Sequence, residues 1–430
     1  MQKLGYIILL LQFSFVLVAQ EADTVKQERA IEALKYKQQP GLALAASKIF
    51  FSDKRYSISG FGEVNLVNYR GPKNTQAGDI ELYYTNLYRY ANFFGYRFTD
   101  KVIWNSEVQI EYLHDGTREG RTEFIIEAFM DFILHDAFKM RAGFFPLTIG
   151  YVNNNDEPVM FYSVNRSEVE RIIIPSSWIE LGVMFYGNIS QNLSYALALS
   201  QGLNSESYLS GTWIRQGREI RLDVPQSLTF NPQLNFTGIE NVTLSTSAYI
   251  GNSGQGNIVN SETLKANIQL YTGYAQYEKD NLRFTVVGAT GTLSETDRIY
   301  QLTLQETGNG QVLGSSVYGY LAELGYDFLP MLRRGKNIGE KKNWFYHSSH
   351  MKLPLFLRYE RLNTHSSIDN ALVNFSRVQN DLTIWTLGAN FNPRENIVFK
   401  LNYQFRDNKF SNVFVPRESD FIEFGFGFIF

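Results

Sequence analysis

The sequence contains no cysteine among its 430 residues, which excludes disulfides, thiolate metal sites and cysteine nucleophiles and is compatible with export to an oxidising compartment. After residue 20 it also lacks any apolar run of the roughly 20 residues that a transmembrane helix needs. An excess of one charge sign is missing as well, because 40 basic and 43 acidic side chains give a net charge of -3. Such a weak field makes nucleic acid an unexpected partner.

The first twenty residues have the layout of a secretory signal peptide. An early lysine precedes an apolar stretch from Tyr6 to Val18, and the small Ala19 precedes polar sequence. We therefore predict export with residues 1–20 removed; a membrane anchor is the alternative, disfavoured by the short apolar stretch. Residues 21–55 are charged and partly helical in character up to Pro40, and we expect them to form a periplasmic segment or a plug in a lumen, with a flexible leader as the alternative.

From Tyr56 onward the side chains alternate between apolar and polar with a period of two. In NIVFKLNYQFR, for example, the odd positions from 397 to 405 are apolar, whereas the even positions from 400 to 406 are polar or charged. Period two is typical of strands with one apolar face. Each such segment is roughly ten residues long, the length of a tilted strand that crosses a bilayer. An aromatic content of 15% supplies much of the apolar face.

The connections between these segments alternate between short turns and long polar loops. The short turns lie at 98–101, 135–138, 187–192, 237–241, 278–281 and 392–396. Regular alternation indicates hairpins whose ends face two compartments, and it implies about sixteen strands. The connection at 330–353 breaks the pattern because it should be short and is long. It is either an elaborated basic periplasmic loop or a sign that the strand count is wrong by two.

These observations predict an all-β fold, a transmembrane antiparallel β-barrel over residues 56–430 with about 16 strands. A soluble sandwich would also bury one face of each strand, but a sheet in lipid must close so that no edge is left unpaired. The final FIEFGFGFIF is predicted to be the closing strand, with its phenylalanines toward lipid. Phe430 at its end resembles the terminal aromatic signal that outer-membrane proteins present to their insertion machinery.

A barrel of sixteen strands is too wide for its own side chains to fill, so we expect a water-filled lumen with charged walls. Strand parity places the following predicted pore-lining residues on the inner face: Glu107, Glu127, Asp131, Lys139, Arg141, Glu180, Arg358, Glu360, Lys400 and Arg406. The segment 151–178 is rich in aromatic and charged residues, and we expect it to fold inward as a constriction loop rather than remain on the surface. Its predicted constriction residues are Glu157, Tyr162, Arg166, Glu168, Glu170 and Arg171.

Three stretches resemble the N-terminal half of the phosphate-selective porin O/P family, especially its Bacteroidetes members. They are FFGYRFTDKVIWNSEVQIEY, EAFMDFILHDAFKMRAGFF and NDEPVMFYSVNRSEVERIIIPSSWIELGVMFYG, and the likeness is strongest from about 55 to 204. The resemblance implies a sixteen-stranded trimeric channel of the Gram-negative outer membrane with an inward loop. In that family an arginine ladder and a lysine ring select phosphate, but the resemblance assigns neither to particular residues of this chain.

The function predicted from these features is an outer-membrane porin for passive diffusion of small ions and polar solutes, with anions such as phosphate among the candidates. A structural or secretion-associated barrel with a plugged lumen is the alternative. We expect no enzyme activity, because no histidine lies inside a predicted strand where a catalytic group could use it. No cofactor or metal is predicted; His347 and His350 could bind a metal with an acidic neighbour, but spacing alone favours ordinary loop histidines. The expected partner is outer-membrane lipid.

Overall fold

The computed structural model describes residues 36–52, 54–68, 86–114, 120–218, 226–334, 341–410 and 420–430. The predicted signal peptide lies outside these residues. The chain divides into two units, and only residues 36 and 37 of the first, 1–37, are described. Among the described residues, no helix has both the length and the apolar character needed to span a bilayer.

Sixteen strands of the described chain form one closed antiparallel barrel. They are β1 (Tyr56–Asn68), β2 (Asn86–Thr99), β3 (Val102–His114), β4 (Gly120–His135), β5 (Phe138–Pro146), β6 (Ile179–Ser190), β7 (Leu193–Gln201), β8 (Leu228–Ile239), β9 (Val242–Asn252), β12 (Asn267–Lys279), β13 (Leu282–Leu293), β14 (Ser316–Asp327), β15 (Pro354–Ser367), β16 (Asp381–Arg394), β17 (Ile397–Asn408) and β18 (Phe421–Ile429); β10 (Ile258–Val259) and β11 (Glu262–Thr263) form a separate hairpin.

The last strand closes the barrel against the first. β18 pairs antiparallel with β1, with Phe61 opposite Ile429 and Leu66 opposite Phe424. Each barrel strand otherwise pairs with its neighbours along the chain, and the six predicted short turns all join consecutive strands. The predicted barrel, its strand number and the role of the terminal strand are therefore confirmed. The edge of the barrel that carries these turns is called the short-turn rim below.

The predicted alternation of faces is present in the closing strand. Ile422, Phe424 and Phe426 are 43%, 46% and 36% exposed on the outer face, whereas Glu423 between them is 1% exposed. An apolar outer face and a polar inner face follow from the period of two, because successive strand side chains point to opposite sides.

Two connections between barrel strands contain a helix. The loop before β14, one of the predicted long polar loops, contains helix α1 (Thr296–Thr307). The long connection after β14 begins with the short helix α2 (Leu329–Leu332) and adds no described strand to the barrel. It is an insert at the short-turn rim, and the predicted strand count is unchanged; that this insert faces the periplasm stays a prediction.

Candidate pore constriction

The connection between β5 and β6, residues 147–178, crosses the interior of the barrel and is called the inward segment. Its Ser163 meets two basic side chains of the opposite wall: Lys400 donates to the Ser163 carbonyl at 2.9 Å and Arg358 to the Ser163 hydroxyl at 2.5 Å. The Asn402 side-chain oxygen accepts the backbone N–H of Val164 at 2.7 Å. Since β15 and β17 lie across the barrel from β5 and β6, these bonds show that the inward segment reaches across the lumen.

The inward segment is tied to the β1–β2 wall by a cluster of charges. The Arg89 guanidinium on β2 contacts Glu63 on β1 at 2.8 Å and Asp156 of the inward segment at 2.9 Å. Arg166 also pairs with Asp156. Both side chains of the Arg89–Glu63 pair are almost fully buried. Such a pair needs its geometry intact, because a buried charge that loses its partner is costly.

Carboxylates of the inward segment also satisfy its own irregular backbone. Glu170 accepts the N–H groups of Tyr151 and Val152 at 2.8 and 2.6 Å. Burial raises the pKa of Glu170 to about 7, although these hydrogen bonds oppose the rise. Burial would also raise the pKa of Glu168, but Arg171 and Arg406 outweigh it and hold that pKa below its ordinary value.

The strand glycine Gly427 makes room for this segment. A Cβ at Gly427 would lie 2.4 Å from the Cβ of Pro158, closer than carbon atoms can approach. The glycine in the GFGF sequence of the closing strand therefore permits close approach of the inward segment to the barrel wall.

Residues 38–52, called the N-terminal segment, lie inside the barrel near the short-turn rim and include a 3₁₀ helix, Ala45–Phe50. Glu157 of the inward segment accepts the N–H groups of Leu44 and Ala45 at 2.8 and 2.6 Å. Two inward-facing side chains hold the same helix: Ser59 donates to the Ala45 carbonyl at 2.7 Å, and Asn105 donates to the Ala46 carbonyl at 2.8 Å. Burial raises the pKa of Glu157 to about 7 against the effect of its two N–H donors.

A further loop, residues 202–218, packs against the long-loop side of the barrel interior. Trp213 is fully buried and donates through its indole nitrogen to the Gly314 carbonyl at 3.1 Å. Arg215 donates to the Arg171 carbonyl at 2.7 Å, and Arg218 donates to the Ser177 carbonyl at 3.0 Å. This loop therefore packs against the inward segment from the long-loop side of the barrel.

An arginine-rich cavity of about 200 Å³ remains between these segments and the β1–β4 wall. Guanidinium groups are the most numerous charged groups among its lining residues, with five arginines and three glutamates: Arg89, Arg166, Arg171, Arg215, Arg218, Glu63, Glu111 and Glu123. A second cavity of about 30 Å³ lies closer to the N-terminal segment, with Glu107, Glu127 and Asp156 on its sides and Gly41 and Ala43 at one end.

The predicted pore-lining residues fall into two groups by contact. Nine are buried: Glu107, Glu127, Asp131, Arg141, Glu180, Arg358, Glu360, Lys400 and Arg406. Many of these contact the two inner segments rather than open space; Arg406 pairs with Glu168 at 3.2 Å, and Glu360 accepts the Val169 N–H at 3.3 Å. Lys139 instead lies near the short-turn rim and pairs with Asp136 at 3.1 Å.

Other predicted residues hold the segments together. Arg141 contacts Asp131 at 3.0 Å and donates to the Pro40 carbonyl at 2.7 Å, so it links β5 to the N-terminal segment. Glu180 accepts the Trp178 indole N–H at 2.8 Å. The Tyr162 ring stacks on an inward-facing phenylalanine and lies 3.7 Å below the Arg283 guanidinium carbon. A role of these residues in a pore remains a prediction.

Three of the arginines that line the larger cavity are not among the residues predicted from the sequence. Arg89 has the inward parity of its strand, so the alternation in NLYRYANFF could have identified it. Arg215 and Arg218 lie in an irregular loop with no periodic signal that indicates where their side chains point.

No protein-family model matches the chain. An uncharacterized protein of Aquifex aeolicus (strain VF5) is 28% identical over 396 residues, which cover 88% of this chain and 83% of that protein. A structure of Salmonella typhi OmpF in complex with daunomycin covers 87% of this chain and 97% of its own, with 10% identity and a TM-score of 0.54. At that identity the likeness shows the barrel fold. The specific resemblance to the phosphate-selective porin O/P family stays a prediction.

Proposed function

We propose that this chain is an outer-membrane porin through which small polar solutes diffuse, with a preference for anions. The observation that carries the proposal is the arginine-rich cavity inside a closed barrel whose outer face is apolar. Guanidinium groups are strong donors to carboxylates and phosphates. A small oxyanion such as phosphate is therefore the solute class that best matches the lining.

The proposed route enters from the long-loop side, passes the arginine-rich cavity, and reaches the smaller cavity beside Glu107 and Glu127. It ends at the N-terminal segment, which we propose narrows the lumen near the short-turn rim. By the usual orientation of such barrels, this rim faces the periplasm. Charged rings and inward loops are the means by which barrel channels select solutes.

Reversal potentials in a planar bilayer with a tenfold KCl gradient test the preference. The wild-type channel should favour chloride, and Arg218→Ala should reduce that preference, whereas Arg218→Lys should keep most of it because the charge remains. Arg55→Ala serves as the matched control, because Arg55 is exposed and is not among the residues that line the cavity. Cation preference in the wild type, or an equal effect of Arg218→Ala and Arg55→Ala, would contradict the proposal.

A structural barrel with a plugged lumen is the second candidate. It is favoured by the burial of most predicted pore-lining charges against the N-terminal and inward segments. Single-channel conductance separates the two functions. An open pore gives stable current steps in a planar bilayer, whereas a plugged scaffold gives none.

A further inference from the structure

Two histidines and a glutamate meet at the short-turn rim, away from the proposed route. His347 and His350 belong to the insert after β14, and Glu395 lies in the turn between β16 and β17. One ligand atom from each lies within 4.8 Å of the other two. The two imidazole rings are perpendicular, at 85°, with centroids 4.2 Å apart.

The backbone fixes the two contributing segments against each other. His347 donates its N–H to the Pro393 carbonyl at 2.9 Å, and Lys352 exchanges two backbone hydrogen bonds with Asn392 at 3.0 and 2.9 Å. Within the insert, His350 donates its N–H to the His347 carbonyl at 3.0 Å, which forms a tight turn. The ligand atoms are thus brought together by main-chain pairing and do not depend on long flexible side chains alone.

The contact between His350 and Glu395 is close but lacks the geometry of a good hydrogen bond. His350 Nδ1 lies 2.8 Å from Glu395 Oε2. Both atoms are shielded from solvent, and neither makes a hydrogen bond of good geometry within the described part of the chain. Ligands of a tetrahedral zinc ion, at 2.0–2.2 Å from the metal, lie about 3.3 Å apart. A small opening of this pair would admit an ion.

We propose that His347, His350 and Glu395 bind a divalent transition-metal ion of the zinc and copper class. Two imidazoles and one carboxylate suit these metals, whereas magnesium and calcium prefer oxygen ligands alone. Ser349 lies with its hydroxyl 3.2 Å from His347 Nε2. In the proposed site the Nε2–H group of His347 donates to the Ser349 hydroxyl, so the Nδ1 atom of His347 presents its lone pair to the metal. Histidines that bind a metal through one ring nitrogen usually donate a hydrogen bond through the other.

The proposed metal joins the insert to the β16–β17 turn. Its ligands come from segments almost fifty residues apart in sequence, so a bound ion cross-links two otherwise separate connections. The three protein ligands occupy three positions of a tetrahedral site and leave the fourth for a water molecule. Metal binding at this site is independent of whether the barrel conducts.

Metal binding to the full-length, tag-free barrel in detergent tests this site. After chelation and dialysis, titration with zinc chloride by calorimetry should give one equivalent bound per chain. His347→Ala and His350→Ala should each weaken zinc binding by about tenfold or more. With one equivalent of copper(II), electron paramagnetic resonance should show two nitrogen ligands in the wild type and one in either histidine variant.

His135→Ala is the matched control, since His135 is an exposed histidine at the same rim outside the cluster. It should leave zinc affinity and the copper spectrum unchanged. Glu395→Gln keeps the shape of the side chain and is therefore the variant of a ligand residue that is least expected to disturb folding. The resistance of each variant barrel to unfolding in cold SDS confirms that the barrel is intact. Absence of zinc binding by the wild type, or equal affinity in folded His347→Ala, His350→Ala and His135→Ala proteins, would overturn the site.

Discussion

The Arg89 guanidinium of the barrel wall lies 2.9 Å from the Asp156 carboxylate of the inward segment. The same carboxylate pairs with Arg166, so it serves two cations at once. Asp156→Asn removes the charge from both contacts and leaves Arg89 with Glu63 and with the Asp156 main-chain carbonyl, 3.0 Å away. We expect the free energy of unfolding to fall by about 1.5–3 kcal/mol, the value of hydrogen bonds to charged groups. Urea unfolding in detergent micelles, followed by tryptophan fluorescence, measures it.

Asp136→Asn is the control for that substitution. Asp136 also pairs with a cation, Lys139, but its side chain is 70% exposed in a turn. Exposed pairs contribute about 0.2–1 kcal/mol. If the two aspartate substitutions had the same cost, Asp156 would not anchor the inward segment.

The N-terminal segment occupies space that depends on Gly95 of β2. A Cβ at Gly95 would lie 2.6 Å from the Ile49 Cβ, so any larger side chain must push the segment away. We expect Gly95→Leu to raise single-channel conductance in a planar bilayer, because the segment can no longer fill the lumen at this level. Overpacking of this kind typically costs about 1–3 kcal/mol, which a barrel can tolerate.

Gly288→Leu provides the comparison, since a Cβ at Gly288 has nothing within 4 Å. Its conductance should match the wild type. Unchanged conductance in a folded Gly95→Leu barrel would mean that the N-terminal segment does not limit the current.

Much of the fold could be predicted because a barrel strand has a local signature. The alternation around Phe424 and Glu423 depends only on which face is apolar, and each turn lies between two such stretches. The polar loop before β14 was predicted less well. Its helix α1 carries few apolar residues, so no clear period of 3.6 distinguishes it from an irregular loop.

The contacts inside the barrel could not be predicted, because they join residues far apart in sequence. Parity places Lys400 on the inner face, but nothing local indicates that its amine meets the Ser163 carbonyl. For the same reason His350 and Glu395 gave no recognisable motif. Their proximity follows from backbone pairing between two connections of the short-turn rim.

The buried carboxylates predict a pH dependence of stability. Burial raises the pKa of Glu157 and of Glu170 to about 7, above the ordinary 4.5. Because folding favours their protonated forms, their contribution to the free energy of unfolding is complete below about pH 4.5 and is lost as the pH rises to about 7. From pH 5 to pH 8 we expect a loss of about 2.5 kcal/mol for each group.

Urea unfolding at half-unit pH steps from 4 to 9 measures this loss. Glu157→Gln and Glu170→Gln should each flatten the slope between pH 5 and 7, and the double variant should flatten it further. Glu240→Gln, in an exposed turn, should leave the slope unchanged. A wild-type slope that persists in the double variant would assign the pH dependence to other groups.

The apolar outer face predicts that a charge placed on it lowers the free energy of unfolding by an amount that depends on its depth along the strand. Leu401 lies in the middle of β17 and is 47% exposed, whereas Ile239 is the last residue of β8 and is 52% exposed. If the outer face contacts lipid, Leu401→Arg lies near the bilayer centre and should cost about 2–4 kcal/mol, while Ile239→Arg should cost about 0–1 kcal/mol. Unfolding in phospholipid vesicles measures both. The two leucine-sized side chains are similarly exposed, so the two substitutions would cost the same if water surrounded the outer face. Only a hydrocarbon layer around the barrel makes the cost of Leu401→Arg larger than that of Ile239→Arg.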